Sequence, residues 1–340
     1  MKNRRLSNTK RFIITVIAGL AVLLIAGLLS LLLGAHAYSI SDLFGAIFDY
    51  HESNDAHYYI MNTRMPRIIA DIIVGACLSI AGAIMQGTTK NPMADSGIMG
   101  ISSGSTLGVV IVVAFLPAAG RFGKMGIAAA GAALVTLLIY AIAFAGKGRV
   151  TPDRMVLSGM AISTLLTAIT TAIILKNGLS NQMIRYTNGS TANTIWADVW
   201  LALPIFGIGV LISLIISRSL TVLNLGEDVS KGLGANVRIT KFLSTIVVLV
   251  LSAVAVIIIG PVGYIGLMIP YIARFLVGTD YRLVIPTCGV LGASFVVVVD
   301  LIAKSVKPGF EFPIGLIITM VGVPFFIYVS RKQEGDSFRD

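Results

Sequence analysis

An all-α, polytopic membrane protein with about ten transmembrane helices is the fold class this sequence predicts. Three observations carry it. The 340 residues are 56% hydrophobic and only 12% charged, with a mean hydropathy of +0.90. Apolar runs close to the ~20 residues that cross a bilayer recur along the whole chain. The runs are continuous rather than alternating. Backbone in lipid must satisfy its own hydrogen bonds, so continuous runs select helices over a barrel.

The spans fall near 12–34, 68–86, 97–116, 125–145, 155–175, 195–216, 241–259, 262–278, 285–303 and 312–330. The first run, FIITVIAGLAVLLIAGLLSLLLG, is too long for a secretion signal. It lacks a convincing small-residue cleavage site and is followed by further spans, so it reads as the first span. An even number of spans puts both termini on one side. With the termini inside, 18 Lys and Arg fall on inner segments and 8 on outer ones. That is the positive-inside bias, and it also accounts for the net charge of +10 without nucleic acid. The expected location is therefore a membrane crossed many times, with both termini cytoplasmic.

The interior of the spans is rich in small residues, as in GACLSIAGA (75–83), GISSGSTLG (100–108) and GIAAAGAALV (126–135). Small side chains let helices approach closely where lipid offers no hydrophobic drive. Two segments are broken by Gly and Pro. QGTTKNPMADSGIMG (86–100) breaks at an inner end and IIIGPVGYIGLMIP (257–270) at an outer end. Breaks at comparable places of two halves, on opposite faces, are what inverted repeats in transporters produce. Cys77 and Cys288 lie in apolar runs and read as inert small apolar residues. His36, His51 and His57 share the first outer loop at a spacing that matches no metal motif.

Charge within or near the spans is sparse. Asp71 follows Arg67 by one turn and Asp300 precedes Lys304 by one turn, so each is expected to form an i, i+4 pair. Asp198 sits near the outer start of the sixth span. None of the three marks the midplane carboxylate that a proton relay requires. No Walker A sequence is present; GKGR at 146–149 lacks the upstream Gly and the Ser or Thr. Any ATP that drives the protein is therefore bound by another chain. The long polar insert LNLGEDVSKGLGANVR (223–238) lies between the sixth and seventh spans. A short helix there, bounded by Gly226, Gly232 and Gly234, has the shape needed to dock a soluble partner.

The polar positions of several long motifs resemble the FecCD-type permeases, the membrane subunits of ABC importers for iron–siderophore complexes, haem and cobalamin. The motifs are RMPR (64–67), VGACLSIAGAIMQGTTKNPMADSGIMGISSG (74–104), LGEDVSKGLGANV (225–237), GPVGYIGLMIPYIAR (260–274), LGASFVVVVDLIAK (291–304) and EFPIGLIITMVGVPFF (311–326). They occur in order along almost the whole chain. The resemblance implies a type II ABC importer permease-like fold. Residues 1–340 then form one transmembrane permease domain, with a cytoplasmic coupling segment at about 218–240. It implies pairing with an identical or paralogous permease, two cytoplasmic ABC ATPases that carry ATP and Mg, and an extracellular or periplasmic substrate-binding protein. This chain itself would be a transport subunit, with no cofactor, no metal and no catalytic residue of its own.

The family's residue roles carry over by motif. Gly226, Glu227, Asp228, Lys231, Leu233 and Gly234 would couple to the ATPase. Arg64, Arg67 and Lys304 would receive acidic residues of the binding protein, which contributes orientation and on-rate more than affinity. Lys304 stands where an arginine is usual, so a bidentate contact becomes a point charge. Thr151, Pro152 and Asp153 match the inner gate, although small hydroxyl residues are commoner there. Tyr271 stands where the family pattern often has histidine. Ser163, Thr164 and Thr167 on the fifth span either line the pathway or hydrogen-bond within the bundle. Ferric siderophore complexes are the expected cargo, with haem or cobalamin as the alternative. Two other classes stay open: a secondary transporter driven by an ion gradient, and a membrane enzyme or non-transporting assembly subunit.

Overall fold

The computed structural model describes residues 7–34, 36–95, 100–145, 152–181, 183, 188–306 and 312–337. Among the described residues thirteen α-helices follow one another: α1 (Asn8–Leu32), α2 (Ile40–Phe48), α3 (Asp55–Tyr59), α4 (Met65–Thr89), α5 (Ile101–Phe115), α6 (Arg121–Ala145), α7 (Pro152–Lys176), α8 (Trp196–Asn224), α9 (Glu227–Gly232), α10 (Val237–Ile259), α11 (Ile265–Val277), α12 (Tyr281–Ser305) and α13 (Ile314–Ser337). No strand occurs among the described residues. Among the described residues, seven runs are long and apolar enough to cross a membrane: α1, Asp55–Thr89, Phe122–Ile139 in α6, Leu157–Lys176 in α7, α8, α10 and α12. Three shorter apolar helices complete the series: α5, α11 and Ile314–Val329 in α13. In order, these match the ten spans read from the sequence.

The second span is longer than the sequence reading. A π-helical turn, Ile60–Arg64, joins α3 to α4. Pro66 has no N–H to give and clashes with the preceding turn. The wider π step, closed by the Met65 amide donating to the Ile60 carbonyl, carries the helix past it. The two Gly/Pro breaks produce the two shorter internal helices. α5 begins at an N-cap Gly100 with φ 78°, and α11 begins at Tyr264 with φ 70°. Both helices therefore start inside the bundle: Gly100 lies against side chains of Val135, Ile139 and Ser163, and Gly266 against the backbone of Gly82.

α4 is the centre of the bundle. It is buried along nearly its whole length, whereas α1 and α7 are largely open. Its glycines meet backbone. A methyl group on Gly75 would overlap the Gly292 carbonyl of α12, and one on Gly82 would overlap Gly266 of α11. Between these contacts Ser79 donates its hydroxyl to the Gly75 and Cys288 carbonyls, both at 2.7 Å. α5 and α6 pack in the same way through Gly104 and Gly131. Cys77 and Cys288 are free and buried in this interface, as small apolar fillers.

The bundle has two distinct ends. At one end, Asn8 of α1 touches Gly278, and Tyr281 of α12 covers Gly87 of α4. α9 lies at this end too, because Thr221 of α8 accepts from the Tyr281 amide at 2.9 Å. α13 runs toward the same end, with Gly322 against Tyr264 and Phe325 against Tyr271. The far end holds α2, α3 and the loops around them.

Gly82→Ala is expected to destabilise the protein by at least the ~1–3 kcal/mol of an overpacked core. Gly27 of α1 has nothing within 4 Å of an added methyl. Gly27→Ala should therefore be neutral or raise stability slightly, since alanine is the better helix former. Thermal unfolding of both variants in detergent micelles tests this; equal melting temperatures would contradict the central role of α4.

Candidate functional site

Three places carry the residues singled out in the sequence. The first is the short helix α9, at the end of the bundle where α1 begins. Gly226, with φ 130°, turns the chain out of α8, and Gly234, with φ 77°, turns it toward α10. Ser230 faces inward and donates its hydroxyl to the Val222 carbonyl at 2.9 Å. Glu227 forms an ion pair with Lys241 at the start of α10. The Lys241 hydrogen bond holds the Glu227 carboxyl below its usual range, working against partial burial. Thr221 donates to Asp280, the N-cap of α12, at 3.1 Å. α9 is thus tied directly to α8 and α10, and through α8 to α12.

Its outer surface is unlike a solvated loop. Leu225, Val229 and Leu233 follow at four-residue intervals and are 65%, 50% and 65% exposed. Asp228 and Lys231 are exposed beside this stripe. Val229 on α9, with Leu225 and Leu233 just beyond its two ends, forms an exposed apolar patch with charged flanks. Of the six residues expected to couple, Asp228, Lys231, Leu233 and Gly234 are exposed. Gly226 and Glu227 are half-buried and shape the element.

The second place is a buried polar network at the far end. Arg64, Arg67 and Lys304 were expected to present charge outward. Each is buried, at 5%, 6% and 8% exposure. The cause is the end of α1. The last four carbonyls of a helix lack intrahelical partners, and lipid cannot supply them. Here Arg64 donates to the Leu31 and His36 carbonyls, and Lys304 donates to the Ser30 carbonyl at 2.7 Å. Leu33 and Tyr38 amides cover Leu29 and Leu32. The two cations therefore cap the negative end of the α1 dipole. The Arg64 guanidinium also sits 4.5 Å over the Tyr38 ring.

Arg67 does not pair with Asp71 as the local spacing suggested. It donates through Nε and Nη2 to Asp300 Oδ1, at 3.0 and 2.7 Å. Lys304 lies 3.6 Å from Asp300 Oδ2, so the second expected i, i+4 pair is present. Asp71 is fully buried, and neither of its oxygens has a hydrogen-bond partner among the described residues. The expectation that Arg67 neutralises it is corrected: Arg67 is turned to α12. Asp198 caps its own helix by accepting from the Ile195 amide at 3.1 Å.

The third place is one face of α7. Ser163, Thr164, Thr167 and Thr171 lie along an open face of α7 together with Ala168 and Leu175. The hydroxyls of Thr164, Thr167 and Thr171 donate to carbonyls one turn earlier, at 2.9, 2.7 and 2.9 Å. They present weak polarity on this face while their donors stay satisfied. Thr151 lies outside the described residues. Pro152 and Asp153 open α7.

Among the described residues, an all-α bundle of apolar helices with a short exposed helix at one end and two helices that start inside it has the architecture of a multi-pass membrane protein. The chain belongs to the FecCD transport family, whose pattern matches residues 22–332. It is 39% identical over 327 residues to the iron(3+)-hydroxamate import system permease protein FhuB of Bacillus subtilis (strain 168), covering 96% of this chain and 85% of that one. It is 36% identical over 332 residues to the Fe(3+)-citrate import system permease protein YfmD of the same organism, covering 97% of each. The cobalamin import system permease protein BtuC of Halobacterium salinarum is 36% identical over 280 residues, 82% of this chain and 75% of that one. Among solved structures, a chain described as an inward-facing conformation of a metal-chelate type ABC transporter superposes with a TM-score of 0.81 at 25% identity. The match covers 93% of this chain and 98% of that one. The chain is therefore a permease subunit of the ABC importer class, a membrane transport component.

The far-end network yields a clear contrast. Asp300→Ala strands two buried cations and should cost about 3–5 kcal/mol. Asp71→Asn removes no hydrogen bond among described groups and should cost less than about 1 kcal/mol. Thermal unfolding in detergent separates them; equal losses would show that Asp71 carries a charge the network needs.

Proposed function

We propose that this chain is the permease of an ATP-driven importer of ferric iron chelates, with siderophore complexes as the cargo. The observation that carries the substrate class is the similarity to permeases described as importing iron(3+)-hydroxamate and Fe(3+)-citrate, at 39% and 36% identity over nearly the full chain. A cobalamin permease at 36% identity supports the second reading, a corrinoid cargo. In both readings the chain pairs with a second permease, identical or paralogous, and the two enclose one pathway.

In this reading α9 faces the cytosol, with both termini, and docks in a groove of an ABC ATPase that holds ATP and Mg. The exposed Leu225–Val229–Leu233 stripe supports this assignment. Nucleotide-driven closure of two ATPases pushes on α9. Its anchors on α8 and α10, and the Thr221 link to α12, carry the push into the spans. The work is a population shift between two packings, biased by docking free energy, not bond chemistry. The hydroxyl face of α7, with Ser163, Thr164 and Thr167, lines the pathway. The inner gate is at 151–153.

A binding protein delivers cargo at the far end. Arg64, Arg67 and Lys304 meet its carboxylates only if docking opens the contacts that hold them inside the chain. Otherwise they shape the surface from beneath.

Uptake of radiolabelled ferric siderophore into proteoliposomes, with the ATPase and binding protein present, tests the whole reading. Labelled cobalamin serves as the competing cargo. Glu227→Lys combined with Asp228→Lys should abolish uptake and binding-protein-stimulated ATP hydrolysis while leaving the permease folded. Survival of both activities removes α9 from the coupling role. Uptake that collapses with an ionophore and persists without ATP would favour a gradient-driven carrier.

A further inference from the structure

α2 stands outside every role described above. It is a nine-residue helix, Ile40–Phe48, at the far end, begun by a capping box in which Ser39 and Asp42 bond each other's backbone amides. At about 100° per residue its surface divides into three sectors. Leu43 and Ala46 are buried against Leu31, Ile60 and Val297. The adjoining flank carries Ile40, Phe44, Ile47 and Phe48, exposed by 63%, 58%, 47% and 80%. The remaining sector holds Ser41, Asp42, Gly45 and Asp49; Gly45 packs against the His57 ring of α3, whereas Ser41 and Asp49 are exposed and polar. Phe44 and Phe48 stack on each other, with ring centroids 6.1 Å apart.

A helix lying wholly on top of a bundle needs one apolar sector, facing down. α2 has two adjacent ones, and only one touches the protein. Two stacked phenylalanines and two isoleucines on an open flank form an apolar patch that demands a partner. The polar sector opposite limits the partner to something that is apolar beside the bundle and aqueous above it. The edge of a bilayer has this character. Two further features agree. The same end carries Tyr50, Tyr58 and Trp200, exposed by 43%, 49% and 64%, and Trp200 stacks on Trp196 at 5.8 Å. Tyr and Trp concentrate where headgroups meet the protein. Leu28 and Leu33, at the end of α1 from which the chain passes to α2, are also open, at 52% and 42%, and continue the apolar surface.

We infer that α2 is an interfacial anchor: its Phe44–Phe48 flank inserts into the headgroup–acyl boundary of the bilayer at the far end, while its Ser41–Asp49 sector stays in water. The occupant is lipid, not a protein partner. The anchor rests on the membrane-spanning reading alone and is independent of cargo, coupling and the direction of transport. It fixes the depth and tilt at which the α1–α4 corner meets the interface, directly beside the network that closes the end of α1.

Spin labels on single cysteines at Phe44, Phe48 and Ser41, in the full chain reconstituted into phosphatidylcholine vesicles, test the inference. The native Cys77 and Cys288 are buried and out of reach of the reagent. Collision with oxygen should exceed collision with a nickel chelate at Phe44→Cys and Phe48→Cys, and the order should reverse at Ser41→Cys. Nickel dominance at all three sites would place the flank in water. Exclusion of both quenchers from 44 and 48 would place it under protein, a second copy or another chain. Either result overturns the assignment. Phe48→Trp, in a background with Trp196 and Trp200 replaced by phenylalanine, keeps an aromatic ring at the position and guards against cysteine variants that fail to fold. Its emission should fall on substituting brominated for ordinary lipid, and an unchanged emission would also overturn the proposal.

Discussion

The close approach of α4 to α11 and α12 is the constraint on which the bundle depends. Lipid removes the hydrophobic drive between helices, so association must come from van der Waals contact and hydrogen bonds. Gly75 against Gly292 and Gly82 against Gly266 bring backbones together, and Ser79 adds hydroxyl bonds across the gap. A surface built in this way is rigid at its centre. Motion is easier at the periphery, where α1 and α7 have few buried residues. The polar face of α7 borders one such loose region, and α9 hangs from the ends of two other helices. The parts assigned to cargo and to coupling therefore lie outside the tight centre.

The same solvent argument explains the far end. Three cations next to one another within apolar surroundings look unstable until the backbone is included. α1 stops at Leu32 with open carbonyls, and in hydrocarbon each would cost several kcal/mol if left unpaired. Arg64 and Lys304 fill that need, and Asp300 balances Lys304 and Arg67. A flexible lysine suits this position because it reaches a carbonyl and the Ser30 hydroxyl with one point charge. The departure from arginine at 304 therefore has a structural use whatever its role in docking. Three of the eight basic residues counted on outer segments are thus inside the protein, which makes the bias of loop charge stronger than the raw count.

Much of the fold was legible because its signals are local. Run length located the ten apolar helices, and Gly and Pro at 92–100 and 260–270 marked the two helices that begin inside the bundle. The polar insert at 223–238 announced α9, since nothing apolar competes with it there. The apolar patch around α9 was also present in the spacing of Leu225, Val229 and Leu233, but the charges drew attention first. Pairing was not legible. Arg67 and Asp71 share a helix face, and the i, i+4 rule joined them; the structure joins Arg67 to a residue 233 positions away. Nothing in a single sequence reports which of two carboxylates an arginine will face when both are within one buried layer. The π turn before Pro66 was missed for a similar reason, because it depends on how α3 and α4 are held by their neighbours.

The two ends of the molecule connect through the centre. Tyr281 begins α12 and places its ring on Gly87 at the end of α4. Its amide is bonded to Thr221 of α8, the helix that leads into α9. At the other end of α12, Asp300 and Lys304 hold Arg67 of α4 and the end of α1. α12 is thus a rod clamped to α4 by glycine contact along its middle, joined through α8 to α9 at one end and to a closed polar network at the other. A push on α9 that tilted α12 would have to break charge-assisted bonds in a dry layer, where such bonds are strong. That resistance favours two discrete arrangements over a continuum of intermediates, which is the property an alternating-access machine requires.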